Sequence, residues 1–130
     1  MFIISIQDQF PIGKVIHELK FEVGTEKMTV SDLIRKRVHE EVMLYNLSQP
    51  GYFQGLVQPS DIEVTLNGNK LRQKRNLDWE VQAGIALQAF QQNGFFILID
   101  NCQVNDLDEL IEIKEDTQIA FIKLIPLIGG

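Results

Sequence analysis

The sequence predicts an α+β domain, and three observations carry that expectation. Val15 to Val23 alternates: Val15, His17, Leu19, Phe21 and Val23 share one parity, and the mostly polar Lys14, Ile16, Glu18, Lys20 and Glu22 share the other. That two-residue period belongs to a half-buried strand. Val30, Leu33, Ile34, Val38, Val42 and Tyr45 then recur at helical spacing, with Arg35, Lys36, His39 and Glu40 on the opposite face. Phe95–Ile99 and Gln118–Ile125 are short continuous apolar runs, the pattern of strands buried on both faces.

Taken in order, Phe2–Ile6 reads as an Ile-rich strand. Phe10-Pro11-Ile12-Gly13 supplies a turn, because proline fixes φ and glycine permits positive φ. Val15–Val23 returns as the second arm of a hairpin. The helix that follows is capped by the Thr29 hydroxyl, with Asp32 near the positive end of its dipole. Asn46 ends its pattern and Pro50-Gly51 breaks the chain. Ile62–Leu66 and Lys70–Arg72 flank Asn67-Gly68-Asn69, a hairpin signal. Asp78 caps a second helix running to about Asn93, with Trp79 at its start and Val81, Ile85, Leu87 and Phe90 as its apolar positions. Gly94 offers a left-handed stop.

Phe95–Ile99 is followed by a turn at Asp100-Asn101 and a short return strand, Cys102–Val104. Asp106–Leu110 reads as a helical turn, Lys114–Thr117 as a polar turn and Gln118–Ile125 as the last strand. Pro126 ends that strand because it has no N–H to donate, and Leu127-Ile128-Gly129-Gly130 is a tail. The expected organisation is one domain over 1–130, with 47–93 inserted and 126–130 as a flexible tail. Both parities of the last strand are apolar, so the second face of the sheet calls for a cover. The inserted helix is the favoured cover, and self-association through that face is the alternative.

Composition narrows the function classes. Apolar residues make up 45% of the chain and charged residues 23%, which suits a packed core. No apolar run approaches the roughly 20 residues that span a bilayer, so no membrane partner is expected. Met1–Phe10 lacks a basic lead and a small-residue cleavage site and reads as a strand, not a signal peptide. The net charge of −6 does not suggest a nucleic-acid partner. The single cysteine, Cys102, forms no internal disulfide, and the expected compartment is the cytoplasm. With two histidines, His17 and His39, a closed zinc site is not expected.

The remaining polar groups have plain structural readings. Cys102 at a strand turn reads as an incidental thiol. His17 alternates with core residues and reads as a satisfied histidine, and His39 as a solvated one. Asp106, Asp108 and Glu109 read as a solvated acidic turn. Lys70, Arg72, Lys74 and Arg75 form a basic cluster on an exposed hairpin, with a docking patch for an acidic partner as the other reading. There is no nucleophile–base pair, phosphate loop or ligand spacing, so the chain is not expected to be an enzyme or to hold a metal.

The order hairpin, helix, further strands and a closing diglycine resembles the β-grasp fold of ubiquitin-like proteins: a mixed sheet, a helix across one face, and here an inserted hairpin-plus-helix segment. Phe96–Val104, a strand, polar turn and strand, is similar to part of the small sulfur carriers, though their turn is usually Asn-Gly and here it is Asp-Asn. Thr117–Ile122 through Pro126-Leu127-Ile128-Gly129-Gly130 resembles the last strand and tail of the molybdopterin-synthase small subunit, the thiamine sulfur carrier and the ubiquitin-like proteins of bacterial conjugation operons. The likeness covers roughly residues 1–46 and 94–130.

That resemblance implies a carboxylate on Gly130, adenylated by a partner activating enzyme that consumes ATP, with no cofactor of the chain's own. Gly129 and Gly130 lack Cβ atoms and can thread a narrow channel. Pro126–Gly130 can extend by ~17–18 Å at about 3.5 Å per residue. Pro126, Leu127 and Ile128 are the positions an activating enzyme would grip. Ubiquitin carries basic residues near this place, and this chain has none after Lys123, which favours a sulfur-carrier-like or bacterial-type enzyme. The resemblance further implies a conjugating enzyme, a deconjugating protease and a target protein. Sulfur transfer through a terminal thiocarboxylate to a biosynthetic acceptor is the alternative function, and a non-covalent assembly module is a third.

Overall fold

A computed structural model describes residues 2–11, 14–24, 27–48, 55–59, 62–65, 68–71 and 75–124, with 62–65 and 68–71 described by their backbone. The elements in chain order are β1 (Phe2–Gln9), β2 (Val15–Val23), β3 (Lys27–Thr29), α1 (Val30–Ser48), β4 (Ile62–Thr65) and β5 (Gly68–Leu71). They continue with α2 (Trp79–Gln91), β6 (Phe95–Ile99), β7 (Cys102–Gln103), β8 (Leu110–Glu112) and β9 (Ile119–Lys123). The chain is therefore α+β. It divides into two compact units, Met1–Val30 with Phe90–Gly130, and Ser31–Ala89. The second unit takes in nearly all of α1 together with most of the 47–93 segment.

The first unit is a mixed five-stranded sheet in the order β2-β1-β9-β6-β7. β1 and β9 run parallel, and the other neighbours are antiparallel. Alternation sets which side chains are buried: Ile4 and Ile6 on β1, Leu19, Phe21 and Val23 on β2, Phe95 and Ile97 on β6, and Ile119 and Phe121 on β9. The Phe95 ring stacks on Phe121 at 5.8 Å between centroids and lies 5.9 Å from Phe90. On the opposite parity of the two central strands, Phe96, Leu98, Ala120 and Ile122 are half-buried.

β2 has the predicted bounds, but its buried face starts later than the alternation suggested. Val15 is exposed and His17 half-buried. β1 runs three residues past Ile6 and buries Asp8, which lies opposite His17 just before a register shift. Phe10 N–H donates to the Lys14 carbonyl at 3.0 Å and closes the β1–β2 turn.

The turn between β6 and β7 is Asp100-Asn101, as predicted. Both residues have positive φ, 49° and 67°, which is the type I′ geometry that follows the twist of a hairpin. Val104 N–H donates to Ile97 at 3.1 Å and prolongs the return arm. Asp100 also holds β9: its N–H donates to Gln118 O, and Gln118 N–H donates to its Oδ1, both at 2.8 Å.

Two strands were absent from the sequence reading. β3 and β8 pair as a separate two-stranded sheet, with Met28 opposite Ile111. Leu110 begins β8, so the helical turn expected over Asp106–Leu110 shortens to a turn closed by Glu109 N–H on Asp106 O at 3.2 Å. Val30 N–H, an orphan at a helix start, donates to Glu109 O at 3.0 Å.

In the second unit, α1 buries Leu33, Ile34, Val38, Val42 and Tyr45, the predicted stripe. Arg37 is buried in the same stripe, being three residues from Ile34 and four from Leu33. The helix continues two residues past Asn46, because the Asn46 amide bonds to Leu77 and does not compete for its own helix backbone. β4 and β5 pair as the hairpin the Asn67-Gly68-Asn69 signal predicts, with Ile62 opposite Leu71.

Asp78 caps α2, its Oδ1 accepting Glu80 N–H at 3.0 Å. The rotation of α2 about its axis is a correction. Val81 and Ile85 are exposed, and the buried positions are Gln82, Ala83, Ala86 and Phe90. After α2, Asn93, one position before the Gly94 that offers such a stop, is itself left-handed (φ 60°).

Candidate functional site

The predicted site residues Pro126, Leu127, Ile128, Gly129 and Gly130 lie outside the described residues. What the structure describes is the root from which they follow. β9 is the middle strand of its sheet, and its two neighbours hold it over nearly its full length. Ile6 to Gln9 lie opposite Ile119 to Ile122 in parallel register, and Phe95 to Ile99 lie opposite Lys123 to Ile119 in antiparallel register. Ile119 and Phe121 are buried on one face. A strand laddered on both sides and buried beneath is a fixed anchor for whatever follows it.

The ladder ends at Lys123, and Leu124 is 44% exposed. The parallel β1–β9 pairing fixes the end of the sheet from which the chain leaves. It is the end where β1 finishes at Gln9, where β2 begins at Val15 and where β6 begins at Phe95. Among the described residues around this exit Pro11, Lys14, Val15 and Leu124 are exposed, and Lys123 is half-buried.

The polar groups weighed in the sequence fall elsewhere. Cys102 is exposed on β7, at the far edge of the sheet. Glu109 Oε1 accepts Asn105 N–H at 3.1 Å, which gives that carboxylate a structural role in its turn. His39 lies edge-on to the Trp79 ring at 4.9 Å, and the Arg35 guanidinium lies 5.5 Å from the centre of the same ring. His39 is thus half-buried on an aromatic partner, not simply solvated. Of the basic cluster, Lys70 lies in β5, Arg72 and Lys74 lie outside the described residues, and Arg75 is exposed ahead of α2.

Two shallow concavities are among those lined by described residues. One, of about 200 Å³, sits on the sheet among Gln7, Gln9, Leu98, Asn101 and Thr117, and none of its lining side chains is ionisable. Gln9 Nε2 donates to Gln7 Oε1 there at 3.1 Å. The other, of about 210 Å³, lies in the second unit among Arg75, Asp78, Val81, Gln82 and Ile85. Neither brings together a nucleophile and a base.

Sequence reasoning did not find the buried ionic groups. Arg37 Nε lies 3.4 Å from Glu41 Oε2, and Glu41 Oε1 accepts Leu56 N–H at 2.9 Å. The signal was present, since Arg37 falls on the apolar stripe of α1. Comparison of the chain with protein-family models, with curated proteins and with solved structures finds no match.

Proposed function

We propose that this chain is a ubiquitin-like modifier. In this reading the Gly130 carboxylate, encoded at the terminus or exposed by trimming, is adenylated by an activating enzyme and conjugated to a target. The observation that supports it is the position of β9. A hairpin, a long helix and later strands, with the first and last strands parallel neighbours inside one mixed sheet, are compatible with a β-grasp domain. The segment holding Pro126 to Gly130 follows directly from that anchored strand.

The chemistry follows from the tail. The carboxylate attacks the α-phosphate of ATP held by the partner, and pyrophosphate leaves. A cysteine thiolate of the partner then takes the acyl group as a thioester and AMP leaves. Finally a target amine displaces the thiol and forms an amide. This chain supplies the carboxylate and a tail narrow enough to reach it. Activating, conjugating and deconjugating enzymes are the partners of this reading, and the cytoplasm is its compartment.

Intact mass spectrometry tests the proposal, with the chain incubated with ATP and extract of its source cells beside a Gly130 deletion. A target adduct with the full chain and none with the deletion is the expected result. Replacement of one terminal oxygen by sulfur would assign sulfur transfer instead. A native protein whose mature end is not Gly130, or a deletion that behaves as the full chain, would overturn the carboxylate chemistry altogether.

A further inference from the structure

We propose that His39 is a proton-operated contact: on protonation its imidazolium takes the Trp79 ring over from Arg35. Spacing brings the three residues together. Arg35 and His39 are one turn apart on the side of α1 away from its buried stripe, and Trp79 is the first residue of α2. The His39 and Trp79 ring centroids lie 4.9 Å apart, with the rings at 85° to each other. The Arg35 guanidinium carbon lies 5.5 Å from the centre of the same indole. The indole is also fixed from the chain ahead of it. Leu77 is buried and exchanges two hydrogen bonds with Asn46, about two turns past His39 on α1.

The proton changes what His39 offers the ring. A neutral imidazole makes a weakly polar ring contact. An imidazolium is a cation, and an indole attracts cations within roughly 6 Å of its centre. Arg35 already lies in that range, so a charged His39 puts two cations on one ring. Like charges one turn apart on a helix repel. Imidazole is the side chain that changes charge between about pH 5 and 8, whereas a guanidinium keeps its charge throughout. The competition for Trp79 is therefore set by the proton on His39.

The neighbouring groups decide which cation stays. His39 Nδ1 lies 3.8 Å from Glu40 Oε1, an oxygen that Lys36 Nζ also approaches at 3.4 Å. Protonation makes the first of these contacts an ion pair. His39 has a short side chain, half-buried against the ring. Arg35 is exposed, ends a long flexible stem and has the exposed Asp32 carboxylate one turn before it. The guanidinium therefore swings away and the imidazolium stays. On the α2 side, Asp78 and Glu80 flank Trp79; both are exposed, and Asp78 Oδ1 accepts Glu80 N–H at 3.0 Å. None of these residues belongs to the tail, so the contact stands apart from the proposed modifier role.

Trp79 is the chain's one tryptophan, so its emission reports on this contact. Imidazolium quenches indole fluorescence. Emission of the full chain should therefore fall along a one-proton curve as pH is lowered from about 8 to 5. In proton NMR the Arg35 Cδ protons should move from ring-shifted positions to those of a solvated arginine, with the same midpoint. His39→Gln should abolish both changes. Arg35→Gln should keep the quenching and move its midpoint to higher pH, because the competing cation is gone. Circular dichroism would confirm that both variants are folded, and the two wild-type titrations need no variant. Emission that does not titrate, or that titrates equally in His39→Gln, would overturn the proposal. So would Arg35 protons that stay ring-shifted at low pH, or an Arg35→Gln midpoint at or below that of the wild type.

Discussion

Asn46 and Leu77 exchange two hydrogen bonds. Asn46 Nδ2 donates to the Leu77 carbonyl at 2.9 Å, and Leu77 N–H donates to Asn46 Oδ1 at 2.8 Å. The side-chain amide thus pairs as a second peptide group would, and it ties the segment ahead of α2 to the last turns of α1. Leu77 is itself buried, so its backbone groups have no ready exchange with water.

Asn46→Ala should therefore cost about 1–3 kcal/mol in urea unfolding, because it leaves two backbone groups unsatisfied. Asn46→Asp keeps the acceptor but turns an oxygen toward the Leu77 carbonyl, and it should be destabilising too. A change below about 0.5 kcal/mol for Asn46→Ala, the level of a surface substitution, would show that the exchange does not hold this segment.

Glu41 serves two partners, the buried Arg37 and the Leu56 N–H. Glu41→Ala strips both and should destabilise by about 3–5 kcal/mol, the range for removing one member of a buried ion pair. Glu41→Gln keeps an oxygen for Leu56 and should cost less. Thermal unfolding of the two variants side by side tests the order, and equal losses would argue that the Leu56 bond contributes nothing.

The hairpin turn carries two left-handed residues, Asp100 and Asn101. Asn101→Gly fits a positive φ without a Cβ clash and should be neutral or stabilising by up to about 1 kcal/mol. Asn101→Val should destabilise by roughly 1–2 kcal/mol, since a β-branched side chain tolerates that region poorly. Asp100→Ala removes the acceptor of Gln118 N–H, and hydrogen exchange at Gln118 should quicken while exchange at Ile97 changes little.

Phe121 is fully buried on the middle strand and stacked on Phe95. Phe121→Ala should cost about 3–5 kcal/mol. Phe121→Leu should recover much of that loss. If the proposed modifier role holds, such core variants should lose conjugation only in proportion to their unfolded fraction, whereas loss of Gly130 abolishes it in a folded protein. Melting curves read beside the conjugation assay separate the two effects.

Much of the fold was legible because it is local. Alternation marked β2 to the residue, helical spacing marked the buried stripe of α1, and Asp78 marked the start of α2. Asp100-Asn101 marked a turn whose φ values depend on two adjacent residues. The rotation of α2 was not legible, because its buried stripe is built on Ala83 and Ala86 while the larger Val81 and Ile85 face out. Hydrophobicity read by size named the buried Phe90 but misplaced Val81 and Ile85.

Of the candidate site, the sequence by itself supplies the residues of the proposal: Pro126, the apolar Leu127-Ile128 and the two glycines are a matter of residue type and order. Only the tertiary structure decided where that tail is rooted, on a middle strand parallel to the first and laddered on both sides. It alone also decided that Lys27–Thr29 pairs with Leu110–Glu112, and that β2 ends the strand order among the described residues. The reason is the range of the interaction. Turns, caps and periodicity are settled by neighbours a few residues apart. Strand pairing joins segments nearly the whole chain apart, and a three-residue strand carries too short a pattern to announce its partner.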